Sequence, residues 1–343
     1  MKALQFVGDD RSQVNDVPVP EIAEDEVLLA SRSVGICHSD LELLAGRYII
    51  PFEFPVIPGH EWSAEVVAVG KAVKGLGCGD RVVGECVIGR DHFGFSISGA
   101  AAEFFVAKEA WLHRLPDNVS WTQGALVEPF SCGYYATVRA DNLDASDTAM
   151  VLGAGPIGLG VVAAAAGKGA RVIVAEPTPD RADLARALGA DEVIDPTSEG
   201  FLAQVEELTQ GAGASVVFEA SGKLAAMATA LDVAGFRARL VYIGIDVGGS
   251  VPARLGLFQS KELQARGIIG SPGVWPQTLR FLSRSGVDLS PLVTGSYPLA
   301  RADEAVGAVG GEIVAMGEKF WKFGRGVRVR RRQWLWSKST TRV

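Results

Sequence analysis

The sequence predicts an α/β protein with two domains: a β-rich first domain and a second domain built on a doubly wound parallel sheet. Three observations predict this fold class. Before about residue 137, apolar residues form short β-like runs, each bounded by Gly, Pro or Asp. From residue 149, β-like runs alternate with helical stretches, which is the pattern of βαβ units. A Gly-X-Gly-X-X-Gly turn at 153–158 joins the first of these strands to its helix.

The elements follow in order along the chain. In the first domain, predicted at 1–137, β-forming runs cover 27–30, 65–69 and 81–83. In the second domain, predicted at 138–271, strands cover 150–152, 171–175, 192–194, 216–219, 240–243 and 268–270, and helices cover 159–167, 180–188 and 224–234. Residues 272–343 are predicted to return to the first domain. Short connections and right-handed crossovers make the second sheet parallel.

Composition bounds the class of protein. The chain has 343 residues, 48% hydrophobic and 21% charged, which suits a soluble protein with two cores. A net charge of -7 gives no reason to expect a nucleic-acid partner. The opening MKALQFVGDD lacks the apolar stretch of a signal peptide, and the uncharged stretch 148–167 contains the glycine turn, so it indicates a buried strand and helix rather than a membrane span. We expect a cytoplasmic protein without a membrane partner.

The glycine turn predicts a dinucleotide site. Gly153 makes the tight turn, Gly155 lets the backbone approach a pyrophosphate, and Gly158 lets the helix pack on the strand. Pro156 and Ile157 lie between them, at the helix N-terminus that faces the phosphates.

Glu176 ends the next predicted strand and indicates which nucleotide binds. A carboxylate there accepts hydrogen bonds from the adenosine ribose and repels a 2′-phosphate, so NAD is predicted rather than NADP. Arg181, five residues further on, is placed near the adenine or on the solvated face of the next helix.

A second set of residues has the chemistry of a metal site. Cys37, His60, Glu61 and Glu128 supply a thiolate, an imidazole and carboxylates, the mixed ligands of a catalytic zinc. Such a metal polarises the oxygen of an alcohol, and a nicotinamide accepts the hydride that leaves the alcohol carbon. Together the two sites predict reversible oxidation of an alcohol to a carbonyl compound.

Four motifs in the order GICHSD, PGHEW, VEP and GAGPIG resemble those of the zinc-dependent medium-chain dehydrogenases/reductases, over nearly all of residues 1–311. The resemblance implies a GroES-like catalytic domain, a Rossmann domain, and Cys37 and His60 as zinc ligands. Glu61 and Glu128 match the polyol and threonine dehydrogenase branches, where a carboxylate replaces a thiolate; which of the two binds persistently is left open. Members of the family are dimers or tetramers, so a homodimer or homotetramer is expected.

Neighbouring polar residues have roles that follow from their types. Ser39 can pass the alcohol proton outward, since a hydroxyl both donates and accepts. Asp40 can accept the free ring N–H of His60 and fix its tautomer. His38 lies near the cofactor phosphates, or ends the proton relay, or is a polar loop residue without a catalytic role.

The sequence departs from the family in two places. Many relatives bind a structural zinc through four closely spaced cysteines, but Cys86 is alone in that region, so one catalytic zinc and no structural zinc is predicted. From about residue 312 the chain becomes basic, with nine Lys and Arg against two Glu, and rich in Trp. We interpret this tail as an altered or non-functional end rather than a binding segment.

The leading hypothesis is an NAD-dependent zinc dehydrogenase acting on a secondary alcohol of a polyol, sugar or aminocyclitol, with a small-molecule alcohol or ketone as the partner. One alternative is L-threonine 3-dehydrogenase, which shares the GHE and VEP features. Another is a metal-free protein, either quinone reductase-like or an inactive binding protein. The complete set of Cys37, His60 and Glu128 argues against the metal-free alternative.

Overall fold

The computed structural model describes residues 1–48 and 51–308, and the backbone of 313–316. The strands in this part of the chain are β1 Lys2–Gly8, β2 Arg11–Asp16, β3 Glu26–Ile36, β4 Trp62–Val69, β5 Arg81–Gly84, β6 Val87–Ile88, β7 Asp91–His92, β8 Phe104–Lys108, β9 Leu112–Arg114, β10 Thr148–Leu152, β11 Arg171–Ala175, β12 Glu192–Ile194, β13 Ala214–Glu219, β14 Ala234–Tyr242, β15 Gln264–Gly267, β16 Val293–Ser296 and β17 Ile313–Met316.

The α-helices in the same part of the chain are α1 His38–Leu44, α2 Trp121–Ala125, α3 Val127–Arg139, α4 Pro156–Gly167, α5 Pro179–Ala187, α6 Phe201–Leu208, α7 Leu224–Val233, α8 Leu257–Ser260, α9 Trp275–Ser285 and α10 Ala302–Ala308. None of them is both long and apolar enough to cross a membrane. The uncharged stretch 148–167 is the buried strand β10 followed by α4, as predicted.

A seven-stranded sheet forms the β-rich domain. Its order is β16-β17-β3-β4-β5-β9, and β8 also pairs with β3. β3 is central because it pairs antiparallel with β4, β8 and β17. Alternating side chains of these strands pack into one buried core, which includes Leu29, Trp62 and Phe105. The β-rich character predicted for the first domain is confirmed.

A six-stranded parallel sheet forms the second domain, in the order β12-β11-β10-β13-β14-β15. The order reverses at β10, so the carboxyl ends of β10 and β13 flank a crevice, as in other doubly wound sheets. Helices cover both faces, and α4 is apolar along most of its length because it is buried between the sheet and α3. This confirms the predicted fold class.

The last strand of this sheet was predicted wrongly. The apolar run 268–270 predicts a strand there, but the strand is β15, Gln264–Gly267. β15 lies at the sheet edge and pairs only with β14 among the described strands. An edge strand does not need apolar side chains on both faces. The polar residues of β15 therefore gave no strand signal in the sequence. Ile269, the apolar residue that suggested a strand, is exposed.

The two domains pack together around α3, α4 and α9. Gly133 on α3 faces Gly160 on α4 so closely that a Cβ atom on Gly133 would lie 2.5 Å from the Gly160 carbonyl carbon. α3 spans the predicted boundary at residue 137. After α9 the chain returns to the seven-stranded sheet through β16 and β17. The basic tail predicted from about residue 312 lies outside the described residues, apart from the backbone of β17.

Candidate metal and cofactor sites

Cys37 lies where strand β3 ends and helix α1 begins. The strand reaches Ile36, and the extended backbone of Cys37 turns the chain into the helix. Asp40, three residues into α1, accepts a hydrogen bond from the Cys37 backbone N–H through Oδ2 at 2.8 Å. This bond satisfies one of the free donors at a helix start and fixes the turn that presents the thiol.

His60 and Glu61 occupy the loop directly before strand β4. Gly59 takes a φ of 97°, a left-handed conformation that favours glycine, and a Cβ there would lie 2.8 Å from the Val34 side chain. The Gly35 backbone N–H donates to the Glu61 carbonyl at 2.7 Å. The loop is therefore held against β3, which brings it beside Cys37.

The donor atoms of Cys37, His60 and Glu61 all lie within 4.8 Å of one another. Nε2 of His60 is 3.9 Å from Oε1 of Glu61. His60 and Glu61 are almost completely buried. The structure thus brings together three of the four residues predicted as metal ligands, although they come from separate parts of the sequence.

Glu61 has room for its carboxylate only because residue 35 is glycine. A Cβ on Gly35 would lie 2.2 Å from Oε2 of Glu61. That oxygen is buried and has no hydrogen-bond partner among the described residues. An unpartnered buried carboxylate oxygen is costly, and a cation held by the neighbouring thiol and imidazole satisfies it. The donor types and the orphaned oxygen therefore fit a zinc ion.

The electrostatics of the cluster favour a cation. Burial, reinforced by the negative charge of Glu61, raises the pKa of the Cys37 thiol. Burial also raises the pKa of Glu61 to about 8, with His60 opposing the shift and Glu128 and Asp40 adding to it. In this buried cluster the neutral forms of Cys37 and Glu61 are favoured over their negatively charged forms. A divalent cation among them stabilises their deprotonated forms, which are the forms that bind metal.

Asp40 orients the imidazole of the cluster. Its Oδ1 lies 3.3 Å from Nδ1 of His60, and both residues are buried. Although burial alone would lower the pKa of His60, the carboxylate of Asp40 and the thiol of Cys37 raise it well above its usual value. Neither Oδ1 of Asp40 nor Nδ1 of His60 has a hydrogen-bond partner among the described residues, so Asp40 acts on Nδ1 through its charge, while Nε2 lies on the side of Glu61.

Glu128 lies on the first turn of α3 and does not join the three-donor group found among the described residues. Burial raises the pKa of its carboxyl, with His60 opposing and Asp40 adding to the shift. The carboxyl therefore shares the electrostatic environment of the cluster.

Ser39 Oγ lies 3.4 Å from Nε2 of His60, whereas His38 is exposed and 3.9 Å from Glu42.

The glycine turn has the geometry that a dinucleotide needs. Gly153 has a φ of 98°, and a Cβ there would lie 2.7 Å from Ser221. A Cβ on Gly158 would lie 2.0 Å from the carbonyl oxygen of Gly153. Gly155 has open space in front of it and caps α4, which Pro156 begins with Ile157 next. The turn therefore exposes backbone at a helix N-terminus.

A cavity of about 330 Å³ opens at the carboxyl ends of β10, β11 and β13. Gly153, Gly155, Glu176 and Arg181, which the sequence predicts at the cofactor site, line it. Oε2 of Glu176 accepts the Ala154 backbone N–H at 2.8 Å, and Oε1 accepts that of Thr178 at 2.9 Å. These bonds fix the carboxylate and leave each oxygen a lone pair for a ribose hydroxyl.

Sequence reasoning missed several residues of both sites. Ser221 and Lys223 line the cofactor cavity, and buried Glu219 holds their loop by accepting bonds from the Ser221 backbone N–H and hydroxyl at 2.9 and 2.6 Å. Their position after the neighbouring strand was the available signal. Near the metal cluster, the missed residue is Phe95, whose ring stacks on Tyr48 at 4.1 Å and is tilted against His60 at 4.7 Å between ring centroids.

Two family matches cover both domains. Residues 23–117 match the family described as alcohol dehydrogenase GroES-like domain, and residues 156–284 match the zinc-binding dehydrogenase family. The two matches contain the predicted ligands Cys37, His60 and Glu61, the end of the glycine turn from Pro156 to Gly158, and Glu176. The GroES-like assignment of the first domain is confirmed.

Curated proteins and solved structures match the chain over nearly its whole length. D-arabitol-phosphate dehydrogenase of Enterococcus avium is 32% identical, covering 92% of this chain and 96% of the relative, and sorbitol dehydrogenase of Bacillus subtilis (strain 168) is 31% identical, covering 89% and 92%. The X-ray structure of 2R,3R-butanediol dehydrogenase from Bacillus subtilis is 31% identical with a TM-score of 0.83, covering 92% and 98%. With the two family matches, these similarities establish that the chain is an oxidoreductase of the zinc-dependent medium-chain dehydrogenase/reductase family.

Proposed function

We propose that this chain is an NAD-dependent dehydrogenase with one catalytic zinc, acting on a secondary alcohol of a polyol, sugar or aminocyclitol. The observation that carries the proposal is the buried cluster of Cys37, His60 and Glu61, with donor atoms within 4.8 Å. The names of two relatives, D-arabitol-phosphate dehydrogenase and sorbitol dehydrogenase, support a polyhydroxylated substrate.

Cys37, His60 and Glu61 would hold the zinc. Glu128, whose charge acts on Glu61, would replace Glu61 as a zinc ligand during turnover. Zinc, when bound, lowers the pKa of an alcohol oxygen beside it, so that the hydride leaves more easily for the nicotinamide. Asp40 keeps the His60 ring oriented through Nδ1. Phe95, which stacks on Tyr48, covers one side of the His60 ring.

Ser39 is the proposed proton acceptor. Its hydroxyl lies 3.4 Å from Nε2 of His60, on the first turn of α1, and is half-buried. A hydroxyl there takes the proton of the substrate alcohol while donating its own. His38, the preceding residue, is exposed and passes the proton to solvent.

Glu176 supports NAD as the cofactor. Its carboxylate is buried, held by two backbone N–H groups, and faces the cavity beyond β10 and β11. A 2′-phosphate placed there meets a fixed negative charge, whereas ribose hydroxyls find an acceptor. Arg181 lines the same cavity and would stack near the adenine.

The single zinc follows from the cysteines. All four are free in the structure and widely separated in the sequence, and Cys86 is the one cysteine between residues 79 and 131. One thiol cannot make a four-thiolate site. Unpaired cysteines also fit a reducing, cytoplasmic location. A homodimer or homotetramer is proposed from the family resemblance.

The test is a substrate panel with the purified, zinc-loaded chain. Sorbitol, arabitol, an aminocyclitol and L-threonine are each offered with NAD and with NADP, and nicotinamide absorbance is followed. Turnover of a polyol or cyclitol with NAD supports the proposal. Turnover of threonine alone replaces it with L-threonine 3-dehydrogenase. A chain that takes up no zinc when zinc is offered and turns over no alcohol would favour the metal-free alternative.

A further inference from the structure

A chain of three hydrogen bonds runs from helix α9 to the backbone of Glu128. Nε1 of Trp275 donates to Oγ of Ser271 at 3.2 Å. The Oγ atoms of Ser271 and Ser131 lie 2.6 Å apart, and Oγ of Ser131 donates to the carbonyl oxygen of Glu128 at 2.6 Å. Each hydroxyl has one hydrogen, and the indole can only donate. The bonds therefore run in one direction: Trp275 to Ser271, Ser271 to Ser131, and Ser131 to Glu128.

The chain connects the cofactor domain with the turn that carries Glu128. Ser271 follows strand β15, the edge of the parallel sheet, by four residues. Ser131 is fully buried on α3, one turn after Glu128. The two serines are 140 residues apart in sequence, so their contact is purely tertiary.

The far end of the chain is anchored on the β-rich domain. The ring of Trp275 stacks on His113 of β9 with centroids 5.7 Å apart and an angle of 19°. Nε2 of His113 lies 2.8 Å from Oε1 of Glu85. Trp275 is buried. Its ring contacts His113 of the first domain, and its N–H is bonded to Ser271.

We propose that Ser271 is a positioning residue for Glu128, holding the first turn of α3 at the distance that lets the Glu128 carboxylate reach the metal. The inference rests on the proposed function, because it takes Glu128 as a carboxylate of the zinc site. The bond of Ser131 goes to a carbonyl and not to a free N–H of the first turn, so it acts by tying that turn, through Ser131, to the segment that carries Ser271. Ser271 touches neither metal nor substrate in this role; it acts through Ser131.

The test measures zinc release from the zinc-loaded full-length enzyme to a chromophoric chelator. Ser271→Ala removes the clamp, and we expect release about fivefold to tenfold faster, the loss of about one net hydrogen bond. The cobalt-substituted enzyme should show an altered visible spectrum with Ser271→Ala. Ser271→Thr retains the hydroxyl and should release zinc as the wild type does.

Ser283→Ala is the matched control. Ser283 lies on α9, the helix that carries Trp275, and its hydroxyl donates to Oδ1 of Asn118 at 3.0 Å, which is another contact between distant segments. It should leave zinc release and the cobalt spectrum unchanged. Equal acceleration by Ser283→Ala and Ser271→Ala would mean general loosening around α9, and would overturn the inference.

Glu128→Gln separates failure of the inference from failure of the proposed site. If Glu128→Gln accelerates zinc release and Ser271→Ala does not, Glu128 is a zinc ligand but Ser271 does not position it. If Glu128→Gln leaves both zinc release and the cobalt spectrum unchanged, Glu128 is not at the metal, and the inference falls with that assignment. Thermal unfolding midpoints of all variants check that each remains folded.

Discussion

Gly35 and Glu61 fit together so tightly that a single methyl group on Gly35 would overlap the glutamate carboxylate. The Cβ would lie 2.2 Å from Oε2 and 3.0 Å from Cβ of Glu61. The Gly35 backbone N–H also donates to the Glu61 carbonyl at 2.7 Å. Gly35 thus holds the backbone of Glu61 and leaves space for its side chain.

Gly35→Ala should therefore displace the Glu61 carboxylate. We expect zinc content below one per chain and at least a tenfold loss of activity, the scale of losses when a metal site's surroundings are disturbed. Metal analysis and the polyol assay measure this. Gly77→Ala is the control, because a Cβ there has no atom within 4 Å among the described residues. Full zinc and activity in Gly35→Ala would show that Glu61 is not a ligand.

Cys37→Ser should remove zinc and nearly all activity, because a hydroxyl replaces the soft thiolate donor. The decrease should exceed about 100-fold, more than loss of a supporting residue costs. Cys78→Ser, an exposed cysteine, should behave as the wild type. Chelation of the wild-type enzyme should reproduce the Cys37→Ser defect, and added zinc should reverse it. A Cys37→Ser enzyme that keeps one zinc would contradict the site.

Ser39→Ala should slow proton removal without loss of zinc. Its hydroxyl lies beside His60, at 3.4 Å from Nε2, and general acid–base groups contribute about 100-fold or more. We expect kcat with a polyol to fall by about that factor, and Ser39→Thr to restore most of it. Steady-state kinetics at several pH values, with zinc content measured in parallel, are the check. Normal turnover by Ser39→Ala would refute the relay.

Glu176→Ala should change the cofactor preference. Loss of the carboxylate removes the acceptor for ribose hydroxyls and the repulsion of a 2′-phosphate. We expect the KM for NAD to rise by about tenfold, the equivalent of about one hydrogen bond to a charged group, and the KM for NADP to rise less. The loop also loses two backbone contacts, so the ratio of the two KM values is the measurement that counts. An equal rise for both cofactors would mean that the ribose contact is absent.

Gly133→Ala should destabilise the protein. Its Cβ would lie 2.5 Å from the backbone of Gly160 and 2.6 Å from that of Val161, so α3 and α4 must move apart. Overpacking of this kind costs about 1–3 kcal/mol in the free energy of unfolding. Denaturant titration measures it. Gly307→Ala, where a Cβ has open space inside α10, should instead be neutral or stabilising. Equal stability of Gly133→Ala and the wild type would show that the helices adjust without cost.

Local patterns accounted for the features that the sequence predicted well. The glycine turn, Glu176 and the strand–helix alternation are encoded within about 30 residues, and Asp40 lies three residues from Cys37. The position of β15 was predicted wrongly because this strand lies at the sheet edge, pairs with β14 alone among the described strands, and consists mostly of polar residues. Gly35 and Ser271 were missed because their partners, Glu61 and Ser131, come from distant segments, and neither a glycine nor a serine signals a tertiary contact.

Strand β17 has a consequence for the order in which the protein is made. Val34 to Ile36, directly before Cys37, pair with β17, residues 313–316, and Val34 also pairs with Trp62 of β4 on its other side. Ribosomes deliver the amino terminus first and domains tend to fold as they emerge. The seven-stranded sheet is therefore complete only after the whole nucleotide-binding domain has been translated. Until then, the backbone of β3 that pairs with β17 has no partner strand there. Nascent chains arrested before residue 313 would expose that part of β3 to chaperones or to neighbouring chains.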